Sequence, residues 1–539
     1  MRKSLVRDAS QRNPAPVDYK KQLGRIDRIP MLSRIVLMLE QNRKALGLGE
    51  ASIEDMEQLS FLIYDSMEAP TRTFHTIEHL FDLHYGADPI QTSAIAFHDI
   101  IYYQIDGGLS ERQSRCLHDI FTDQNGKLFI TKHKLEQTIE IVMDVFGFEY
   151  GQLLDPFKGM NEFLSACVAA RVFTGIDGIS KYNQELNAKR SACIEMTIPF
   201  RKENADGQRT VDVLYDRLCK MDDKYDFGWD EPEIVQAVQR AADLGNRDLA
   251  NFAWKDHGAF LSNTWKLLPE SNVKLRTRAF YLSDMQNALF KMVNFFSHLD
   301  PTSLFIAFRD PKEEKRQEAN TKEAARNIRC ARSYVASKFI GITALCAIAD
   351  LTGGDTPCQH FTGDRKNTPH RKNSDQIHFY LDWLKKPERG VTCDHDVMKV
   401  LRKGRKEEDN FDSRNSPLGA FVYSYLGDEG LDAALKYAEC PMDAMHALTF
   451  LEHLPIKMVI EIIVAASKTC LIRKEKILNI IEELPSVFQE KYDAMYIQGE
   501  DVSELTMSSV STTDSIFNVV HRSLDSIKEN NCLSFMKQN

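Results

Sequence analysis

Four residues in the first fifth of the chain have the types and spacing of a metal-binding set. His75 and His79 stand four apart in "FHTIEHL", and His98 and Asp99 are adjacent in "AIAFHDIIYY". On a helix, a four-residue spacing puts both imidazoles on one face, one turn above the other. Adjacent side chains diverge by about 100°, close enough for His98 and Asp99 to grip one ion from two sides. The residues flanking that pair are apolar nearly all round, which predicts a buried helix. A carboxylate buried there without a partner costs several kcal/mol, and a cation is one partner that removes the cost. Imidazole with carboxylate suits Zn²⁺, Fe²⁺ or Mn²⁺, and Asp99 could bridge to a second, harder ion such as Mg²⁺.

A second His-Asp pair, His395 with Asp396 in "CDHDVMK", sits in a polar turn after Gly390. Asp394 there has the position of a helix N-cap, so this copy is read as a decoy.

With its H-x-x-x-H and the apolar His-Asp that follows, the chain resembles the HD superfamily of metal-dependent phosphohydrolases. The stretch "TRTFHTIEHL…AIAFHDIIYYQIDGGLSERQS" is especially similar to the small bacterial predicted HD phosphohydrolases, over residues 71 to 115. Glu111 and Ser114 fall where the last motif of that group would place them. The resemblance implies that His79, His98 and Asp99 hold one or two divalent ions (Mn, Fe, Zn or Mg). It also implies that His75 protonates the leaving oxygen, and that Glu111 and Glu78 orient a histidine or a water. Two features depart from the larger, phosphodiesterase branch: Tyr102 stands in place of a second histidine, and Thr76 in place of an asparagine.

An HD site needs one more carboxylate from a distant helix. The small bacterial enzymes carry it in a segment similar to "NEFLSACVAARVF", but here Ser165 and Cys167 occupy the expected aspartate positions. The cyclic-nucleotide phosphodiesterases carry it in an "ADLSN"-like segment, which "QRAADLGNRDLANFAW" resembles, with Asp243 in the ligand position. Asp177 is a third candidate, and a degenerate site with no fourth ligand is the alternative. The phosphodiesterase resemblance extends to "DMQNALFKMVNFF", nominating Gln286 with Phe290 or Phe295 as a purine clamp. Lys181, Lys189 and Arg190 in "KYNQELNAKR" are the cations available for phosphate.

The elements that must position these residues are helical. Apolar residues at i, i+3, i+4 and i+7 recur in segments such as "LEQTIEIVMDVFGF" and "EIVQAVQRAADLGNRDLANFAW", and strand-like alternation is scarce, so the fold class is all-α. A chain of 539 residues exceeds one core. Polar, turn-rich stretches predict an N-terminal helical segment (1–55), an HD-like domain (56–305) and a helical extension with a polar linker (306–376). A helical C-terminal domain (377–496) and a tail with a terminal amphipathic helix (497–539) complete the expectation.

Composition narrows the function class. With 68 Lys and Arg against 78 Asp and Glu, the formal net charge of −10 argues against general nucleic-acid binding or attachment to anionic membranes. No segment reads as a membrane span, since the late apolar run "LPIKMVIEIIVAASKTCLI" is interrupted by Lys457, Glu461 and Lys468. The basic N-terminus lacks the apolar core of a secretory signal, and eleven scattered cysteines read as reduced, so a cytoplasmic protein is expected. Delivery by a specialised secretion system would leave no such signal. The expected partner is a small phosphate ester or nucleotide, with the C-terminal half available to a protein partner. The functional expectation is a metal-dependent phosphohydrolase or phosphodiesterase. Its alternative is a degenerate HD-fold binding or regulatory protein.

Overall fold

The computed structural model describes residues 29–277, 279–363 and 376–481. Over these the chain is all-α apart from one small hairpin. It divides into two compact units: one runs to Ala253 and adds Asp300–Lys322, and the other holds Trp254–Leu299 and the chain from Glu323 on. The boundaries therefore differ from the expected 56–305. Residues 254–299, with Gln286 among them, group with the second unit, and Ile35, Met38 and Leu39, within the expected N-terminal segment, contribute core to the first. The expected tail at 497–539 lies outside the described residues.

The first unit is built from α1 (Met31–Ala45), α2 (Ile53–Met67), α3 (Ile77–His84), α4 (Pro89–Ile95), α5 (Tyr103–Asp106) and α6 (Glu111–Leu117). A hairpin of β1 (Phe121–Gln124) and β2 (Lys127–Ile130) follows, then α7 (Gln137–Phe146), α8 (Met160–Asp177), α9 (Lys181–Glu195), α10 (Thr210–Tyr225) and α11 (Glu231–Asp248). The hairpin turns on Asn125-Gly126, both at positive φ (57° and 76°), as a two-residue hairpin loop requires.

Helix starts follow local chemistry. Asp88 and Ser110 each form a capping box, with Gln91 and Gln113, and Asp230 caps α11 by accepting from the Glu233 amide at 2.8 Å. α7 stops at Gly147, whose φ of 66° suits the left-handed position after a helix. α9 is the centre of the unit and packs against α4, α7, α8 and α11. Such a helix is covered on several sides, and it buries Leu186, Ala188, Ala192, Cys193 and Ile194. α11 approaches the chain after α9 so closely that a Cβ added at Gly245 would lie 2.4 Å from the Met196 carbonyl oxygen.

The 42-residue helix Pro311–Thr352, whose residues to Lys322 group with the first unit and the rest with the second, is the one described helix long and apolar enough to cross a membrane, yet 89% of its apolar window is buried. That helix serves as a protein core element. Asp394 caps His395–Lys403 through the amides of Asp396 and Val397 (2.7 and 3.1 Å), as the decoy reading expects. The ten described cysteines are free.

Candidate metal centre

The two histidine motifs meet, though neither sits on its helix as expected. α3 begins at Ile77 after Thr76, so His79 lies in its first turn while His75 precedes the helix. Their rings are nonetheless 6.2 Å apart and perpendicular. α4 ends at Ile95, and His98 and Asp99 lie in the turns that follow, with the His98 amide still bonded to the Ala94 carbonyl (2.9 Å). Leaving the helix directs both side chains to the same point.

Arg72 braces this turn. Its guanidinium is buried and donates to the carbonyls of Asp99 and Ile100, and it pairs with Asp106 at 2.6 Å. Ser165 on α8 accepts from the Ile101 amide (3.1 Å), and Asn161 accepts from the Tyr103 amide (3.1 Å). The serine that replaces an expected aspartate thus anchors the His-Asp turn. Cys167 is wholly buried, and burial pushes its thiol far above the usual range.

The carboxylate that joins the histidines is Asp248, the last residue of α11. His79 Nε2 lies 3.0 Å from Asp248 Oδ1, and His98 Nε2 lies 3.9 Å from the same oxygen. Ligand atoms of His79, His98 and Asp248 all fall within 4.8 Å of one another, a spacing that could hold one cation. Asp99 completes the ring, its Oδ2 being 3.0 Å from His98 Nε2 and 3.8 Å from His79 Nε2. Despite that short separation, His98 Nε2 and Asp99 Oδ2 are buried without a hydrogen-bond partner. The two atoms aim past each other, and such orphaned polar atoms are costly unless something sits between them.

Charge follows geometry. Burial disfavours an imidazolium at His98, but Asp99 and Asp248 outweigh it and raise its pKa to about 9. Burial likewise disfavours the Asp99 carboxylate, yet His98, His75 and His79 hold its pKa well below the usual range. Glu162, in the first turn of α8, is pushed up to about 7 by burial and by the Asp99 and Asp248 charges, against an opposing pull from Arg201. The wall beside His79 is aromatic: His75 meets Phe74 at 4.8 Å and Tyr102 at 4.7 Å, both edge-on.

Several residues nominated from sequence lie elsewhere. Asp243 accepts from Gln91 (2.9 Å) and pairs with Arg247 (2.7 Å); five positions from Asp248, it faces another side of α11. Asp177 is buried against Arg43 at 2.6 Å. Glu111 is 81% exposed and pairs with Arg115, one turn along α6, so it orients neither a histidine nor a buried water. Glu78 is exposed as well. Gln286 is buried in the second unit, donating to Thr343 (3.2 Å) and the Glu439 carbonyl (2.9 Å) and accepting from the Met442 amide (3.2 Å), so its amide is committed to structure. Phe290 packs on Phe339 and Phe295 on Phe296 in that unit. Arg190 is buried over the Phe173 ring (4.0 Å) and donates to Asn187. Lys181 is exposed at the first turn of α9, and Lys189 pairs with Glu233.

Sequence reading missed Asp248. "AADLGNRDLANF" carries both Asp243 and Asp248, and the "ADLSN" likeness selected the one that does not reach the histidines. Their helical phase relative to the apolar stripe of α11 was the signal that separates them. No family model, curated protein or solved structure matches the chain.

Proposed function

We propose that this protein is a metal-dependent phosphoric ester hydrolase of the kind the HD resemblance implies. One observation carries the reading: His79, His98 and Asp248 converge on a point lined by the orphaned buried atoms His98 Nε2 and Asp99 Oδ2. Imidazole nitrogens and carboxylate oxygens are a donor set for Zn²⁺, Fe²⁺ or Mn²⁺. Such an ion lowers the pKa of a bound water to about 7 and polarises a phosphoryl oxygen.

The chain's own residues supply the rest. His79, His98, Asp99 and Asp248 would hold the ion, and Arg72 fixes the turn that carries two of them. His75, against Tyr102, stands at the rim and donates a proton to the leaving oxygen. Arg72 meets the backbone of Asp99 and Ile100, so the acid and the ligands are referenced to the same turn.

A second reading, a binding or regulatory protein without turnover, draws on Ser165 and Cys167, the positions where the small bacterial enzymes carry aspartates. Metal analysis separates the two. The protein reloaded with Mn²⁺, Fe²⁺ or Zn²⁺ is expected to hold at least one ion per chain, to hydrolyse bis(4-nitrophenyl) phosphate, and to lose both properties in Asp248→Ala. Stoichiometric metal without hydrolysis of any phosphate ester leaves the regulatory reading. No bound metal removes the enzymatic one.

A further inference from the structure

We infer that the second unit binds a short-chain carboxylate, seated on the N-terminus of the helix Pro417–Leu435. The inference is independent of the metal centre and of the hydrolase reading.

The first observation is an open helix start. A cavity of about 130 Å³ is lined by Ser416, Leu418 and Gly419, where that helix begins. Pro417 has no amide hydrogen, so the Leu418 and Gly419 amides are the donors that the first turn presents. Ser416 is the N-cap residue, yet its side chain caps neither amide. It is 5% exposed and lines the cavity, and its hydroxyl has no hydrogen-bond partner among the described residues. A hydroxyl buried in that way is costly unless a ligand meets it. Amides and dipole at a helix start favour an anion, and two amides with one hydroxyl match the two oxygens of a carboxylate.

The second is close approach. A Cβ added at Gly419 would lie 2.6 Å from Ser416 Oγ and 3.3 Å from Cγ of Lys338, on the helix Pro311–Thr352. Glycine at this position leaves the hydroxyl, the amides and the lysine stem around one space.

The third is charge. Lys338 is 7% exposed, lines the cavity and donates to both Asp412 oxygens at 2.9 Å. Arg405 also reaches Asp412, at 3.2 Å, and pairs with Asp409. Two cations thus face two carboxylates, and the cluster is balanced before a ligand arrives. The helix start adds about half a unit of positive charge, which suits one negative charge and not the two of a phosphate dianion.

The rest of the wall is apolar, through Phe280, Met285, Ile342 and Phe411. It suits a tail of a few carbons, each buried methylene tightening binding about fourfold.

The test is calorimetric titration of the metal-free, full-length protein at pH 8, so that no metal at the candidate centre competes for ligand. The probes are acetate, butyrate, the neutral butyramide and inorganic phosphate. Butyrate is expected to bind one site per chain, several-fold tighter than acetate and at least tenfold tighter than butyramide or phosphate. Ser416→Ala removes a hydroxyl that caps no amide, so it is expected to weaken butyrate at least fivefold with the ligand-free melting temperature unchanged. Ser416→Asp puts a carboxylate in the seat, and is expected to abolish butyrate binding while raising the melting temperature. Absence of saturable carboxylate binding overturns the inference, as does butyramide or phosphate bound as tightly as butyrate. Butyrate affinity unmoved by either Ser416 variant overturns it too. So does a lower ligand-free melting temperature in Ser416→Ala, since the hydroxyl would then be a helix cap.

Discussion

His79 and Asp248 lie 169 residues apart in sequence, and their side chains meet at 3.0 Å. That contact joins the start of α3 to the end of α11 and sets which acid completes the candidate centre. It separates two variants on one helix. Asp248→Ala is expected to lower metal affinity at least a hundredfold. Asp243→Ala is expected to leave metal stoichiometry intact and to cost about 1 kcal/mol of stability, since Arg247 keeps the Tyr85 and Gly86 carbonyls and Gln91 keeps the Arg240 carbonyl. Metal titration with thermal unfolding of both variants checks this, and a larger metal loss in Asp243→Ala would restore the sequence-based assignment.

Metal affinity should depend steeply on pH. In the metal-free fold the His98 pKa is raised from its usual 6.5 to about 9, so a proton must leave before a cation can bind. Apparent affinity is therefore expected to rise about tenfold per pH unit between pH 6.5 and 8.5. The same shift makes His98 stabilising to the metal-free fold below pH 6.5, with that contribution lost as pH rises through about 9. Asp99 acts oppositely: its lowered pKa gives stability that is present above its usual 3.8 and is lost on acidification. Metal-free protein should thus melt lower at pH 9.5 than at pH 7, and a flat profile would contradict the charged His98–Asp99 pair.

Arg72→Met tests the brace under the ligand turn. It takes the guanidinium from the Asp99 carbonyl, while Asp106 keeps the Thr71 hydroxyl and the Ile100 carbonyl keeps the Gln113 amide, so a loss of about 1–3 kcal/mol is expected. Denaturant unfolding measures it, and a cost under about 1 kcal/mol would mean that the turn holds without Arg72.

Glu111→Ala should do almost nothing. The side chain is 81% exposed, so stability within about 0.5 kcal/mol of the parent and unchanged metal content are expected. A clear loss of metal would return Glu111 to the centre.

Gly245→Ala probes the close approach that sets α11. The new Cβ would meet a backbone oxygen, which cannot rotate away as a flexible side chain could. A destabilisation of about 1–3 kcal/mol with weakened metal binding is expected, because the same helix end carries Asp248. Calorimetric unfolding with and without metal reads both effects.

What was legible from the sequence was local. His75, His79, His98 and Asp99 stand within 25 residues, and their types and apolar setting identify them without any knowledge of packing. The all-α class followed from periodicity in the same way, and so did the Asp394 cap. Asp248 was not legible because its place in the centre depends on how a distant helix is rotated. A motif likeness cannot choose between two aspartates whose directions differ by more than a quarter turn. Gln286 failed for a related reason: its helix pattern fits a base clamp, but its amide is consumed by Thr343, Glu439 and Met442. Arg190 looked like a surface cation because charged residues usually are one, and it is instead stacked inside on Phe173.

Asp248 is the final residue of α11, where the helix's aligned peptide dipoles converge on their negative end. A carboxylate is poorly placed there, and a cation well placed. The Leu249 amide already closes this helix on the Gly245 and Arg247 carbonyls, so an ion held by His79, His98 and Asp248 would add its charge to a formed helix end. Filling the centre would therefore strengthen the end of α11 without creating it.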